Sequence, residues 1–158
     1  MNERVYRELE ESGVPFEERS FDVPFETTVQ SAEMLETDME HIAKTMVFRA
    51  PSGAITLIAP GNAKVDNQKF KQQFGIRPTM MKADELLELT GFEPGAVSPV
   101  GIASFRNSVY MDASLMAFRG ETVFPSAGTD RCAIAITPED LCKAAGCSGV
   151  VDVCRQKA

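Results

Sequence analysis

One histidine, His41, is the whole supply of imidazole in this chain. A Ser-His or Cys-His arrangement would have to use it, and no flanking motif marks it as a general base. Ser98 lies in Gly95-Ala96-Val97-Ser98-Pro99, which is not the G-x-S-x-G turn that exposes a nucleophilic serine. A histidine-based hydrolase triad is therefore disfavoured. The four cysteines, Cys132, Cys142, Cys147 and Cys154, include no C-x-x-C pair and lie far from His41, so zinc is not expected. They read as free thiols, buried or half-buried, in a reducing compartment, with Cys147 and Cys154 as exposed sites open to oxidation. Neither G-x-G-x-x-G nor G-x-x-x-x-G-K-[ST] occurs, and no cofactor is expected. The longest apolar runs, such as Ala54 to Pro60, are too short to span a bilayer, and the charged N-terminus has no signal-peptide core. A cytoplasmic protein without a membrane partner is the expectation. Positive charge is also scarce: the net charge of −7 argues against a broad nucleic-acid surface, and so against DNA, and leaves room only for a local basic spot.

What is present is an ordinary globular composition, 44% hydrophobic and 25% charged, in 158 residues. That length, without repeats or a linker, predicts a single domain over residues 1–158. Residues 2–12 read as a helix stopped by Gly13, and Phe16 to Phe21 alternates as a half-buried strand would. Thr27 or Thr28 caps a short helix that turns Val29, Ala32 and Leu35 inward. Strands follow from His41 to Arg49 and from Ala54 to Ala59, joined as a hairpin by Pro51-Ser52-Gly53. Helices are expected over 66–74 and 83–90, with a short strand at Thr79 to Met81 between them. Strands at 108–112, 122–124 and 132–136 precede a last helix, with Thr137 as its cap and Pro138 at its first position. Helices mixed with hairpins, rather than strict β-α-β alternation, indicate an α+β domain with a mixed, curved sheet and helices packed around it.

Two features carry the candidate chemistry. Gly91 to Gly101 holds three glycines and two prolines, including a G-x-x-x-P element from Gly95 to Pro99. Such a loop is either a plain connector or a wall whose unshielded backbone N–H groups face a ligand. Lys44 shares a strand face with Ile42, Met46 and Phe48, so it either snorkels to solvent or enters a pocket and holds an anion or a carbonyl. Together they suggest an electrostatic site without a side-chain nucleophile.

Ile42-Ala43-Lys44-Thr45-Met46-Val47-Phe48, Gly61-Asn62-Ala63-Lys64-Val65-Asp66 and Gly95-Ala96-Val97-Ser98-Pro99-Val100-Gly101, in this order, resemble the YbaK-type aminoacyl-tRNA deacylase family. That family is related to the editing domain inserted in bacterial prolyl-tRNA synthetases. The resemblance runs from about Phe16 to Gly146 and implies a compact α+β fold with a barrel-like mixed sheet. It implies trans-editing: hydrolysis of the ester that joins a wrongly attached, small amino acid to the tRNA 3′ end. The catalytic candidates are then Lys44 and Gly95. Phe21, Thr45, Lys64, Ala96, Val97, Ser98, Pro99 and Gly101 are the substrate-binding candidates. The partners implied are the aminoacyl-tRNA 3′ end and, as a candidate, an aminoacyl-tRNA synthetase. The loop backbone would hold the terminal ribose and ester, Lys44 would anchor the phosphate or aminoacyl group, and water would attack with help from the ribose hydroxyl. Some relatives carry tyrosine near Phe21, so the hydroxyl it would offer is missing here. No role carries over to Asp130, in the small-residue loop Ser126-Ala127-Gly128-Thr129-Asp130, and it reads as a turn cap. Lys64, Lys69 and Lys71 are either the basic spot for the tRNA end or a solvated face. The alternatives are a non-catalytic module on the same fold that binds an aminoacyl end or a protein, and a metal- or redox-responsive protein built on the C-terminal cysteines.

Overall fold

A computed structural model describes residues 1–103 and 106–156. In chain order these form α1 (Glu3–Ser12), β1 (Glu17–Ser20), α2 (Thr28–Met34), a 3-10 turn (Met39–His41), β2 (Ile42–Ala50), β3 (Gly53–Pro60) and β4 (Ala63–Val65). Next come α3 (Asn67–Phe74), α4 (Ala83–Thr90), β5 (Asn107–Asp112), α5 (Ala113–Met116), β6 (Phe124–Thr129), β7 (Cys132–Ala135), α6 (Pro138–Ala145), β8 (Gly149–Val151) and β9 (Cys154–Gln156). Seven strands form one mixed sheet in the order β1-β7-β6-β2-β3-β5-β8, and β4 and β9 make a separate ribbon. This is the α+β architecture expected, with six helices around the sheet.

The β2–β3 hairpin is the centre of the sheet. Its antiparallel register runs from Ala43↔Pro60 to Ala50↔Gly53. Gly53 is required at the turn: φ is +140°, and a Cβ there would stand 2.0 Å from the Arg106 carbonyl oxygen. Because successive strand residues face opposite ways, β2 feeds two cores. Ala43 and Val47 join Ile58, Val109 and Met111 in the larger core, beneath Val5 and Leu9 of α1 and Leu141 of α6. Phe48 joins Leu57, Ala59 and Phe70 in the smaller one, with Met46 packed against it. Asp66 caps α3 by accepting from the Gln68 and Lys69 N–H groups, which sets Phe70 on the Phe48 ring at 4.8 Å between centroids.

Several expected elements lie differently. β1 is exposed along its whole length, because it pairs only with β7 at the sheet edge; only Phe16 and Phe21, at its ends, are half-buried. Val29 is 52% exposed rather than inward, and α2 buries Ala32 alone. The strand expected at Thr79 to Met81 is one bridge, Phe48↔Met80. The strand placed at 122–124 begins at Phe124 and continues to Thr129, so the segment read as a small-residue loop is β6, with an irregular register between Ser126 and Thr129. Four short elements, β4, α5, β8 and β9, were not foreseen. Three or four residues carry too little periodicity to register, and tertiary hydrogen bonding holds them.

The buried Asp112 supplies much of that bonding. One carboxylate oxygen accepts from the N–H groups of Val153 at 2.9 Å and Cys154 at 3.1 Å, fixing the approach to β9. The other accepts from the N–H and hydroxyl of Ser114, at 3.0 and 2.5 Å, and so caps α5. Replacing this group leaves two buried N–H donors with nothing to meet, each costing about 1–3 kcal/mol. Asp112→Ala is expected to lower stability by about 3–5 kcal/mol, with Asp112→Asn intermediate, as read from urea midpoints. A loss below about 1 kcal/mol for the alanine variant would show that β9 is held by other contacts.

Candidate functional site

The ends of four elements enclose a cleft of about 310 Å³. Ile42 to Thr45 of β2 form its floor, and Gly95 and Val97 of the glycine-proline loop form one wall. Phe25, the carboxylate-bearing Glu26, Thr27, Thr28, Ser31 and Leu35, around α2, form another, and Phe124, Ser126 and Ala133 of β6 and β7 close the rest. Of the residues singled out from sequence, Lys44, Thr45, Gly95 and Val97 are thereby brought together.

The loop wall has a defined shape. Glu93 O accepts from Ala96 N–H at 3.0 Å across Pro94 and Gly95, and Gly95 has φ +83°. Proline first and a positive-φ glycine second is the pattern of a type II turn. Nothing lies within 4 Å of a Cβ built on Gly95, so glycine is needed there for its backbone angle and not for space. Among the described residues, the N–H groups of Gly95, Val97 and Ser98 have no protein acceptor. The Ser98 hydroxyl is fully buried and accepts from Val100 N–H at 3.2 Å, which makes it a fastener of the loop.

Lys44 is half-buried at the cleft edge, and Nζ donates to Ala63 O. Burial depresses its pKa below the usual lysine value; nearby Cys154 works against that shift, and Lys64 adds to it. Thr45, on the opposite strand face, presents a buried Oγ1 with no hydrogen-bond partner among the described residues. A buried hydroxyl with nothing to bond is costly.

The other candidates stand outside this lining. Phe21 packs edge-on against the cleft residue Phe25, at 5.4 Å between centroids. Lys64 is exposed on β4. Ala96, Ser98 and Pro99 are buried behind the turn, and Gly101 lies beside the Arg4 side chain. Asp130 is exposed at the β6–β7 connection, where its carbonyl accepts from Phe25 N–H at 2.6 Å. Phe25, Ser31 and Ser126 were not anticipated. The only available signal was the Thr27 cap, which accepts from Gln30 N–H and orients the first turn of α2.

His41 is outside the lining as well. Nδ1 and Nε2 meet the carboxylates of Asp38 at 2.5 Å and Glu121 at 3.1 Å. Burial works against the charged ring, yet the hydrogen bonds it donates to these two carboxylates outweigh that and raise its pKa. All four cysteines are free. Contrary to expectation Cys154 is buried, and that burial, with the Asp112 carboxylate beside it, pushes its thiol up to about 12. Among the described residues no cluster of three or more His, Cys, Asp or Glu converges on a point, and no helix is long and apolar enough to cross a membrane.

The sequence profile of the family described as "Aminoacyl-tRNA editing domain" matches residues 22–144. An uncharacterized protein of Bacillus subtilis, YwhH, is 39% identical over 136 residues, covering 85% of either chain. The proline–tRNA ligase of Thermosipho africanus is 32% identical over 81 residues, which are 51% of this chain and only 14% of that enzyme. A crystal structure of a candidate trans-editing enzyme for prolyl tRNA synthetase superposes with a TM-score of 0.84 at 25% identity, covering 100% of this chain and 99% of the other. A hypothetical protein of known structure, with a TM-score of 0.86 at 23% identity, shares the fold.

The geometry separates the roles of two hydroxyls. Thr45→Val keeps the shape and deletes an unbonded oxygen, so stability is expected to hold or rise by up to about 1 kcal/mol while ligand-dependent activity falls. Ser98→Ala removes a buried hydrogen bond and is expected to cost about 1 kcal/mol with activity largely kept. Thermal unfolding beside a turnover assay checks both, and the reverse pattern would exchange the roles. The ion pairs of protonated His41 stabilise the fold below the ring's unfolded pKa of 6.5. That contribution is lost as pH rises through the higher folded value. His41→Gln should therefore lose stability at pH 5.5 and change little at pH 9, as urea titrations would record.

Proposed function

This chain belongs to the aminoacyl-tRNA editing domain family, the YbaK-like group related to the editing insert of prolyl-tRNA synthetase, and from that premise we propose that it deacylates mischarged tRNA in trans. The observation that carries the reading is the convergence of Lys44, Thr45 and Gly95 on one cleft that His41 does not enter. A site with a cation, a free hydroxyl and unpaired backbone N–H groups can stabilise an ester and its developing oxyanion. It holds no imidazole to activate a nucleophile, so the attacking group is water.

In the proposed step the water oxygen bonds to the ester carbonyl carbon, and the bond from that carbon to the ribose oxygen breaks. The water proton passes, by way of the neighbouring ribose hydroxyl, to the departing ribose oxygen. The products are a free amino acid and an intact tRNA end. The turn at Gly95 and the Val97 N–H hold the ribose and ester. Lys44 exchanges Ala63 O for a phosphate or the aminoacyl group when substrate enters. A volume near 310 Å³ lies at the low end for ligand sites, about 300–1,000 Å³, and suits small residues such as alanine, cysteine, serine or threonine. Discrimination among these rests on a methyl or a hydroxyl.

A second reading, a module that binds the aminoacyl end without turnover, draws support from the Lys44 ammonium being held by Ala63 O. Release of labelled amino acid from a panel of mischarged tRNAs decides between them. The wild type should hydrolyse at least one member, and Lys44→Ala should slow it by about a hundredfold, the scale for losing one oxyanion-type donor. No hydrolysis of any member, with salt-dependent tRNA binding retained, would leave the binding module. Undiminished activity in Lys44→Ala would remove Lys44 from the mechanism.

A further inference from the structure

The acidity of the chain hides a local reversal of sign on the ribbon beside Lys44. In the register of β4 and β9, Lys64 stands directly opposite Arg155, and both are exposed. Like charges facing each other across a strand pair repel, and the Asp66 carboxylate, which interacts with the Arg155 charge, counters that repulsion on one side of the ribbon. β4 runs through the Asp66 cap into α3, where Lys71 joins Arg77 at a hollow of about 640 Å³. The hollow's other described lining residues, Asn67, Gln68, Pro78 and Thr79, bring no carboxylate. Two carboxylates belong to the neighbouring segments, and one of them, Asp66, also interacts with the Arg155 charge. Asp152 is taken by Lys69 at 3.2 Å, and Asp66 accepts the Gln68 and Lys69 N–H groups. Lys69, read from sequence as part of a basic spot, is therefore neutralised, whereas Arg155 and Arg77, which sequence did not suggest, belong to it. At its other end the strip meets the cleft, since Lys44 donates to the carbonyl of Ala63, the residue before Lys64.

We propose that Lys64, Arg155, Lys71 and Arg77 form a track for the phosphate backbone of the tRNA acceptor stem, leading its 3′ end to Lys44. The proposal rests on aminoacyl-tRNA being the substrate of the cleft. A phosphate lying between Lys64 and Arg155 turns their repulsion into two attractions.

The test uses a labelled, uncharged acceptor-stem minihelix in fluorescence anisotropy over a range of salt, together with thermal unfolding of each variant. Lys64→Glu should weaken binding about tenfold at low salt and reduce the slope of log K against log salt by about one. The same substitution puts opposite charges across the ribbon, so its Tm should hold or rise. Binding falling while stability does not is the signature, because a damaged fold would lose both. Lys71→Glu/Arg77→Glu should lower the slope by about two. Arg7→Glu/Lys143→Glu, an equal change in net charge away from the strip, should bind like the wild type. If the strip variants match that control, the track is wrong, and an acidic protein partner would account for the patch. That result leaves deacylation by the cleft standing. Binding through the strip by a wild type that hydrolyses nothing supports the track and removes the deacylase reading alone.

Discussion

Alternation along β2 is the constraint from which most of this molecule follows. Nine residues of one central strand must satisfy two interiors, because Ala43 and Val47 point one way and Met46 and Phe48 the other. A slip of one residue against β3 would turn Phe48 toward the larger core and expose the smaller one, so both cores lock the register. The cleft forms where this strand begins. There Lys44 and Thr45, adjacent in sequence and opposed in direction, deliver a cation and a hydroxyl to the edges of one space.

Around that strand, polar groups rather than apolar area decide the local shape. The Asp112 carboxylate ties two backbone N–H groups near the C-terminus and caps α5, four hydrogen bonds from one buried residue. The ribbon of β4 and β9 owes its position to that anchor and carries the cations nearest Lys44. On the opposite wall, the Pro94-Gly95 turn and the Ser98 hydroxyl hold the loop so that backbone N–H groups remain without acceptors among the described residues. His41 illustrates the opposite outcome. Two carboxylates occupy both ring nitrogens and favour its protonated form.

Local chemistry made much of this legible in the sequence. The helix cap at Thr137, the αL glycines at 13, 75, 91 and 146, and the β2–β3 hairpin are short-range features, and each lies where composition places it. Lys44 and Gly95 were recognisable for the same reason: a charge on an apolar strand face and a Pro-Gly pair are visible without neighbours. Identity of chemistry did not extend to identity of role, however. Ser98 and Thr45 are both small hydroxyl residues in the matched motifs, yet one is bonded within its own loop and the other is buried without a partner among the described residues.

Sequence by itself thus determined the α+β class, the central hairpin, the caps and the two features that meet in the cleft, because those depend on propensity, periodicity and turn chemistry within a few residues. Tertiary structure alone decided the rest. It assigned Ser126 and the start of α2 to the cleft walls, took Lys69 out of the basic face and put Arg155 opposite Lys64, and buried Cys154 beside Asp112. These are contacts between residues tens of positions apart. Whether a cation is free or paired, or a hydroxyl is bonded or open, is set by the partner that folding brings to it, and no local pattern encodes that partner.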